Sequence, residues 1–496
     1  MLVVLVRFIF LSFFFLSAGN ILGKNKKPAS KEKVIVVGAG IAGLVAAKDL
    51  LDHGYDVEVW EANPLRVGGR LFSVKVAGSI AELGGEDLLD GGDANYLIQY
   101  ANQLGIKVNV DPNPYYDIHF FGQDKKTVRN LDLFVEEKFP FDDSIDERTV
   151  DAMIEKAMSA KPMVTMADFL QAFFAKQPKL LEYFDARTQT NEGVSTKEID
   201  ASYAKSSFRS QLWSNIKTVR ATSMKKKPIA LSNTRFIGGN ASLPLALAKV
   251  LGKRIRMGVK LDKIQVTKDG SYRLVPTRGR LVKAKYVVLA IPASMYKYIN
   301  VEEGLYKQWQ QIVSSNVMAR SGKVLVPLTW NKEPIGVAQS LSFVARLNQD
   351  RKVAALYFTN LESKDTSAML DIARDHSSFL EQVFPATKVE LGGKFETPVE
   401  QFAACKEGCV KNWSEEQFTE GAYSIIPPGK EMLLEDNIEY VCEQPILQLF
   451  SPYKNTLFFA GEHTSHDARG TIIGAFESGI RAAKMLENCS RPTAAL

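Results

Sequence analysis

Cysteine and histidine are scarce in this chain of 496 residues, which has four of the first and five of the second. Cys405 and Cys409 stand four residues apart, but no second pair and no neighbouring histidine completes the ligand set of a zinc site. The histidines form no Ser-His-Asp pattern. We therefore predict no metal site. An even number of cysteines permits disulfides in an exported chain, and the pairing of Cys405, Cys409, Cys442 and Cys489 stays open.

Long hydrophobic runs are also missing. The apolar run of the leader, Phe8 to Ala18, has eleven residues, whereas a membrane-spanning helix needs about 20. A short apolar run after Arg7 and before the small residues Ser17 to Gly19 is typical of a signal peptide. We predict that residues 1–19 are a signal peptide, that the protein is secreted or periplasmic, and that no stable membrane span is left after cleavage. An uncleaved N-terminal anchor is the alternative.

The chain has little excess charge. Its formal net charge is +6 and falls to +5 without the leader, because the leader carries Arg7 and no acidic residue. The basic clusters, at residues 24–33 and 225–227, contain no interleaved aromatic residues and are typical of solvated loops. We therefore predict no nucleic-acid partner. No internal repeat appears, and a hydrophobic content of 46% is enough for a large core in two or three domains.

A glycine-rich turn follows the apolar run Val34 to Val37. Gly38 suits the tight turn, Gly40 permits backbone to approach a pyrophosphate, and Gly43 permits the next helix to pack on the strand. Glu61 ends the following apolar run, where a carboxylate accepts hydrogen bonds from a ribose and repels a 2′-phosphate. This order predicts FAD or NAD rather than NADP. The predicted contacts are Gly38, Ala39, Gly40, Gly43, Glu61 and Ala62.

A second glycine pair with an arginine, Gly68 to Arg70, follows the acid within ten residues. Together with residues 461–464 and 470–474 near the other end, it resembles the flavin-containing amine oxidase superfamily, which includes monoamine, polyamine and L-amino acid oxidases. The resemblance implies non-covalent FAD, because Ala422 stands where members with covalent flavin have cysteine. The further cofactor contacts that it implies are Gly69, Arg70, Gly85, Glu86, Val259, Gly461, Glu462, Thr471 and Ile472.

The expected fold class is α/β, with a Rossmann-like FAD-binding domain interleaved with a substrate domain of mixed sheet and helices. The apolar runs tied to cofactor motifs place the discontinuous FAD-binding domain at residues 31–100, 233–297 and 416–488. The substrate-binding domain then takes residues 101–232 and 298–415. Within it, residues 166–174 have a helical pattern, and residues 322–328 alternate as in a strand.

Lys323 and Tyr423 are the candidate catalytic residues. In the superfamily a lysine at the matching strand holds a water on flavin N5, and an aromatic residue at the Tyr423 position lies against the substrate amine. Alternation places Lys323, Leu325 and Pro327 on one strand face. An edge-strand lysine and a core tyrosine are the structural alternatives.

The resemblance implies an FAD-dependent amine oxidase. A hydride passes from the carbon beside the amine to flavin N5, the imine is hydrolysed, and O₂ becomes hydrogen peroxide. Thr471 replaces the second aromatic residue of monoamine oxidases, and Glu86 with Asp87 is expected to repel a substrate carboxylate. An L-amino acid oxidase, a C–C flavin desaturase and a non-catalytic flavoprotein that binds a partner are the alternatives. The sequence leaves open which amine reacts and whether a homodimer forms.

Overall fold

The computed structural model describes residues 32–76, 78–88, 94–110, 118–224, 234–330, 336–348, 350–361, 366–384, 386–389, 409–430 and 437–491. The predicted signal peptide, residues 1–19, lies outside the described residues, as does Cys405.

Helices and strands alternate along much of the chain. The helices are α1 (Ile41–Asp52), α2 (Asn95–Gln103), α3 (Asn130–Glu136), α4 (Glu147–Ala160), α5 (Met166–Phe173), α6 (Pro178–Glu192), α7 (Ser207–Ser223), α8 (Ser242–Leu251), α9 (Glu303–Ser315), α10 (Thr366–Asp375), α11 (Ser377–Val383) and α12 (Ile472–Ser490). The strands are β1 (Lys33–Val37), β2 (Asp56–Glu61), β3 (Ser73–Val76), β4 (Ser79–Glu82), β5 (Val108–Val110), β6 (Ile118–Phe121), β7 (Thr127–Arg129), β8 (Thr234–Phe236), β9 (Ile255–Met257), β10 (Leu261–Val266), β11 (Tyr272–Pro276), β12 (Val282–Ala284), β13 (Tyr286–Leu289), β14 (Asn300–Val301), β15 (Val317–Met318), β16 (Gly322–Trp330), β17 (Val337–Ser340), β18 (Phe343–Leu347), β19 (Val353–Phe358), β20 (Ala386–Val389), β21 (Cys409–Asn412), β22 (Ser424–Ile425), β23 (Ile438–Val441), β24 (Gln444–Leu447) and β25 (Leu457–Phe459).

A five-stranded parallel sheet has the strand order β25-β13-β1-β2-β9. Val34 to Val37 in β1 are buried, as expected of a parallel strand that is covered on both faces. Helices α1 and α12 pack closely, since a Cβ on Gly479 would lie 2.3 Å from the carbonyl oxygen of Ala42. The predicted Rossmann-like α/β architecture is thereby confirmed, with strands contributed by distant parts of the chain. The domain limits stay a prediction.

A larger sheet has the order β20-β16-β19-β18-β17-β6-β7, and β21 also pairs with β16. Val324, Val326 and Leu328 face a core shared with α10 and α11, whereas Lys323 and Leu325 lie on the opposite face. The predicted alternation in β16 is therefore confirmed. The edge-strand alternative for Lys323 is wrong, because β16 has paired strands on both sides at this residue.

Helices α3 to α7 share an aromatic-rich core. The predicted helical pattern at residues 166–174 corresponds to α5, which begins with a capping box between Thr165 and Asp168. Phe169 and Phe208 meet edge to face within this core, with ring centroids 5.1 Å apart. Phe120 of β6 belongs to the same core, so the helical block packs against the larger sheet.

A disulfide joins Cys442, after β23, to Cys489 in the last turn of α12. In the part of the chain that the structure describes, none of the helices combines the length and the apolar character that crossing a bilayer requires.

Candidate active site

The turn after β1 requires glycine at two positions. Gly38 has a φ of 105°, and a Cβ there would lie 2.4 Å from the carbonyl oxygen of Ala290. A Cβ on Gly43 would lie 2.0 Å from the carbonyl oxygen of Gly38. Any side chain at Gly43 would therefore separate α1 from the turn, as the sequence pattern predicts.

Gly40, between these two, lies beside open space. No described atom comes within 4 Å of a Cβ built on it. Gly40 is the N-cap of α1 and brings no side-chain acceptor to the first-turn N–H groups. Those N–H groups and the helix dipole are suited to an anion, so the turn fits the pyrophosphate of the predicted dinucleotide.

Glu61 is fixed against the same turn. Its Oε2 accepts a hydrogen bond from the Ala39 N–H at 2.7 Å, and its Oε1 accepts one from the Asn63 N–H at 2.8 Å. Burial raises the pKa of Glu61, although these hydrogen bonds oppose the shift. Its carbonyl oxygen accepts from the Val259 N–H at 2.8 Å. Glu61, the adjacent Ala62 and Val259 are predicted cofactor contacts, and this hydrogen bond places Val259 beside the other two.

Arg70 and Glu462 connect the two ends of the chain. Arg70 Nη1 donates to Glu462 Oε1 at 2.6 Å and to the carbonyl oxygen of Ala422 at 3.1 Å. Glu462 also accepts from the Ser424 hydroxyl at 2.6 Å and from the Gly470 N–H at 3.0 Å. The segments that contain Arg70, Ala422, Glu462 and Gly470 thus meet at one place.

The charge of Glu462 is strongly stabilised there. Burial raises its pKa, but the charge of Arg70 and the hydrogen bond from Ser424 outweigh burial, and the pKa falls to about 2. The next residue, His463, is fully buried, and burial lowers its pKa to about 3. A carboxylate beside a neutral imidazole therefore occupies this end of the site near neutral pH.

Four other predicted cofactor contacts, Gly69, Gly85, Thr471 and Ile472, also lie at this junction. A Cβ on Gly69 would approach the Cα of Gly40 to 3.3 Å, so the second glycine pair touches the first turn. A Cβ on Gly85 would lie 3.1 Å from Ile472 in the first turn of α12. Thr471 caps that helix by accepting the Gly474 N–H at 3.0 Å.

Lys323 is almost completely buried, with 4% of its surface exposed. Its ammonium group donates to Glu86 Oε2 at 2.6 Å and to the carbonyl oxygens of Gly84 at 2.9 Å and Glu82 at 3.2 Å. Strand β16 therefore holds Lys323 against the segment that contains the predicted cofactor contacts Gly85 and Glu86.

Glu86 pairs with a second cation, Arg235. Burial raises the pKa of Glu86, but Arg235 and Lys323 outweigh burial and lower it to about 2. The sequence analysis expected Glu86 and Asp87 to repel a substrate carboxylate. Glu86 is paired with two cations, so its charge is compensated, and the repulsion by this pair stays a prediction. Sequence reasoning missed Arg235, which stands just before the glycine pair Gly238 and Gly239.

Tyr423 lies near Lys323 through a shared neighbour, Tyr357. Its hydroxyl donates to the carbonyl oxygen of Asn191 at 2.6 Å and accepts from the Tyr357 hydroxyl at 3.0 Å. Tyr357 pairs with Lys323 across β19 and β16, and its ring centroid is 5.7 Å from Lys323 Nζ. Burial raises the pKa of Tyr423 well above its usual range. Tyr357 thus connects the two predicted catalytic residues, and strand alternation alone did not reveal it.

Asp49 on α1, His53 directly after that helix and Glu487 on α12 offer ligand atoms within 4.8 Å of one another. The His53 ring already pairs with Glu487 at 2.8 Å. The absence of a metal site stays a prediction.

Comparison with known proteins gives one consistent family. The model of the flavin containing amine oxidoreductases matches residues 41–486. Amine oxidase [flavin-containing] B of Mus musculus is 26% identical over 482 residues, which cover 92% of this chain and 86% of the relative. An L-amino-acid oxidase of Siganus canaliculatus is 23% identical and covers 91% and 84%.

Solved structures agree in fold. Cyclohexylamine oxidase from Brevibacterium oxydans has a TM-score of 0.67 at 19% identity, over 93% of this chain and 100% of that one. Wild-type putrescine oxidase bound to putrescine has a TM-score of 0.64 at 18% identity, over 92% and 99%.

Proposed function

Because the chain belongs to the flavin-containing amine oxidoreductases and FAD is its cofactor, we propose that it is an amine oxidase that uses molecular oxygen. Bound FAD supplies the redox chemistry, by accepting a hydride from the carbon beside the amine and returning two electrons to O₂ as hydrogen peroxide. Water hydrolyses the resulting imine to a carbonyl compound and ammonia or a smaller amine.

The residues that would hold FAD fit its parts. The open N-terminus of α1 at Gly40 suits the pyrophosphate, and Glu61 suits the adenosine ribose. The N-terminus of α12, capped by Thr471, supplies a positive dipole for the flavin end. Ala422 offers no sulfur, which supports non-covalent binding.

The Arg70–Glu462 ion pair is the observation that carries the proposal. It joins the glycine-rich N-terminal segment to the C-terminal one, beside the backbone of Ala422. Tyr423 follows directly, and its ring would give an amine an apolar contact and a negative face. Lys323 would orient a water at the reacting edge of the cofactor in exchange for one of its three hydrogen bonds, since an ammonium group has only three N–H donors.

We also propose export of the mature protein to an oxidising compartment. The short apolar leader supports this proposal, and so does the Cys442–Cys489 disulfide, since such bonds persist mainly outside reducing compartments. Mass determination of the protein from its native source tests it, because removal of residues 1–19 leaves a defined N-terminus.

The activity is tested by recording the absorbance spectrum of purified leaderless protein and then adding monoamines, polyamines and L-amino acids without oxygen. We expect a flavin spectrum that one class of substrate bleaches, followed by peroxide formation when air is admitted. A protein purified without flavin would overturn the proposal. A flavin that no donor bleaches would favour a desaturase or a non-catalytic role.

Lys323→Met tests the assignment of this residue. We expect bound flavin, with reduction or reoxidation slowed by about 100-fold if a positioned water is lost. The exposed Lys352 provides the control, as Lys352→Met, which should react at the wild-type rate. Equal kinetics in both variants would remove Lys323 from the mechanism.

A further inference from the structure

Arg187 and Arg346 are two arginines without an acidic partner among the described residues. Arg187 is 7% exposed, and its Nε and Nη1 are buried without a hydrogen-bond partner. Arg346 in β18 is half-buried. A buried guanidinium group without a counter-charge is costly, so its presence calls for an anion.

The register of the larger sheet places Arg346 on the same face as Lys323. Lys323 is opposite Tyr357, and Tyr357 is in turn opposite Val344. Arg346 stands two residues beyond Val344 and therefore points to the same side of the sheet. Its positive charge also contributes to the low pKa of Glu86, which confirms that it lies within electrostatic reach of the lysine's partner.

Arg187 is on α6, which packs against the sheet face that carries Lys323 and Arg346. It shares a helix face with Tyr183 and Thr190, which are four residues before and three residues after it. The Tyr183 ring contacts Phe120 with centroids 5.4 Å apart, and the Thr190 hydroxyl donates to Gln339 at 3.4 Å.

Phe120 and Gln339 are cross-strand partners, and Gln339 is also opposite Val344. The helix face that carries Arg187 is thus packed over the sheet face that carries Lys323. At the end of the same helix, the Asn191 carbonyl oxygen accepts the hydrogen bond of Tyr423. Arg187 therefore lies above the catalytic face of the sheet.

Lys323, Arg235, Arg187 and Arg346 bring four cations to this face, and the carboxylates of Glu82, Glu86 and Glu192 also lie near it. Glu86 is already shared by Lys323 and Arg235. Burial lowers the pKa of Arg187, and the nearby Arg346 adds to that effect. The two arginines thus repel each other without a described carboxylate between them. A planar guanidinium binds a carboxylate through two parallel hydrogen bonds, which makes a carboxylate the matching ligand.

We infer that Arg187 and Arg346 form a carboxylate subsite, so that the substrate is an amine that also carries a carboxylate. This inference rests on the proposed amine oxidation and names its substrate class. The two subsite residues belong to α6 and β18, not to the Glu86–Asp87 segment that the sequence analysis considered. The carboxylate of the substrate supplies the counter-charge that neither arginine has in an ion pair with a described carboxylate.

Binding of a simple carboxylate tests the subsite without turnover. The FAD-loaded enzyme is titrated with benzoate in a calorimeter, with uncharged benzamide as the matched ligand. We expect Arg346→Gln to weaken benzoate binding by about 10- to 100-fold and to leave benzamide unaffected. Arg374→Gln, at an exposed arginine on α10, is the control and should bind benzoate like the wild type. Equal benzoate affinity in wild type and Arg346→Gln would overturn the inference.

Turnover of paired substrates then shows how far the carboxylate of the substrate lies from its reacting amine. L-phenylalanine is compared with 2-phenylethylamine, and 6-aminohexanoate with hexylamine. We expect one carboxylate-bearing member to be preferred, with a KM that rises in Arg346→Gln while kcat changes little. Oxidation of the plain amines alone would reject the subsite and keep the proposed oxidase. If no compound reduces the flavin, the proposed oxidase fails, and the benzoate titration still decides the subsite.

Discussion

The nucleotide end and the substrate end of this site are built in different ways. At the nucleotide end, Gly38, Gly43 and Glu61 lie within one strand–helix–strand unit, and their contacts are to the backbone. At the substrate end, Lys323 and Tyr423 contact remote segments, both through backbone carbonyl oxygens and through the side chains of Glu86 and Tyr357. The first region is therefore determined by local geometry, and the second by buried charge pairs.

The two ends also treat their carboxylates differently. Glu61 accepts backbone N–H groups, and burial raises its pKa. Glu86 is held by two cations that lower its pKa to about 2 in spite of burial. A backbone-bound carboxylate tolerates changes in neighbouring side chains, whereas a carboxylate in a charge network depends on each member. The substrate end should therefore respond more strongly to single substitutions.

The largest expected effect comes from breaking that network with Glu86→Gln. Lys323 and Arg235 would then be buried without their carboxylate, which costs about 3–5 kcal/mol of unfolding free energy. Urea denaturation of the FAD-loaded protein measures this loss. Glu58→Gln offers a control, because Glu58 pairs with Lys33 and Arg256 at a partly exposed position. A similar loss in both variants would contradict a special role for the buried network.

A smaller loss, about 1–3 kcal/mol, is expected from Gly43→Ala at the nucleotide end. The new Cβ would meet the carbonyl oxygen of Gly38 at 2.0 Å, so α1 must shift. Gly40→Ala is the matched variant, since no described atom lies near its Cβ. We expect Gly40→Ala to keep the stability of the apoprotein and to bind FAD more weakly. Thermal unfolding with and without FAD separates the two, and equal apoprotein stability would reject the packing argument for Gly43.

The sequence predicted the local geometry of the nucleotide end, because the glycine turn after β1 and the acid at the end of β2 belong to one local unit, whereas the contacts with FAD stay a prediction. It also predicted the face of β16 that carries Lys323, since strand alternation is local. Tyr357 and Arg235 were missed. Their contacts to Tyr423 and Glu86 join residues 66 and 149 positions apart, and no local pattern specifies such contacts.

Glu82 and Glu86 extend the comparison within a single segment. Burial raises the pKa of Glu82 to about 7, since Ser73 and Asn240 only partly compensate. The folded state thus favours the protonated form, so the stability that Glu82 contributes is present below pH 4.5 and is lost as the pH rises through about 7. Glu82→Gln should remove this dependence and stabilise the protein at pH 8 by up to about 3 kcal/mol. Urea denaturation of the wild type and of Glu82→Gln at pH 5 and pH 8 measures this effect. If the difference in unfolding free energy between the two proteins is the same at both pH values, the raised pKa of Glu82 is refuted.

Tyr357→Phe gives the smallest expected effect and tests how the two tyrosines share their hydrogen bonds. Tyr423 would lose only the bond that it accepts, while it still donates to the Asn191 carbonyl oxygen. We expect a loss of about 1 kcal/mol in unfolding free energy. Tyr423→Phe should cost more, because it removes the hydrogen bonds of this hydroxyl to both Asn191 and Tyr357. Denaturation of the two variants under one condition ranks them, and the reverse order would show that Tyr357 holds the pair in place.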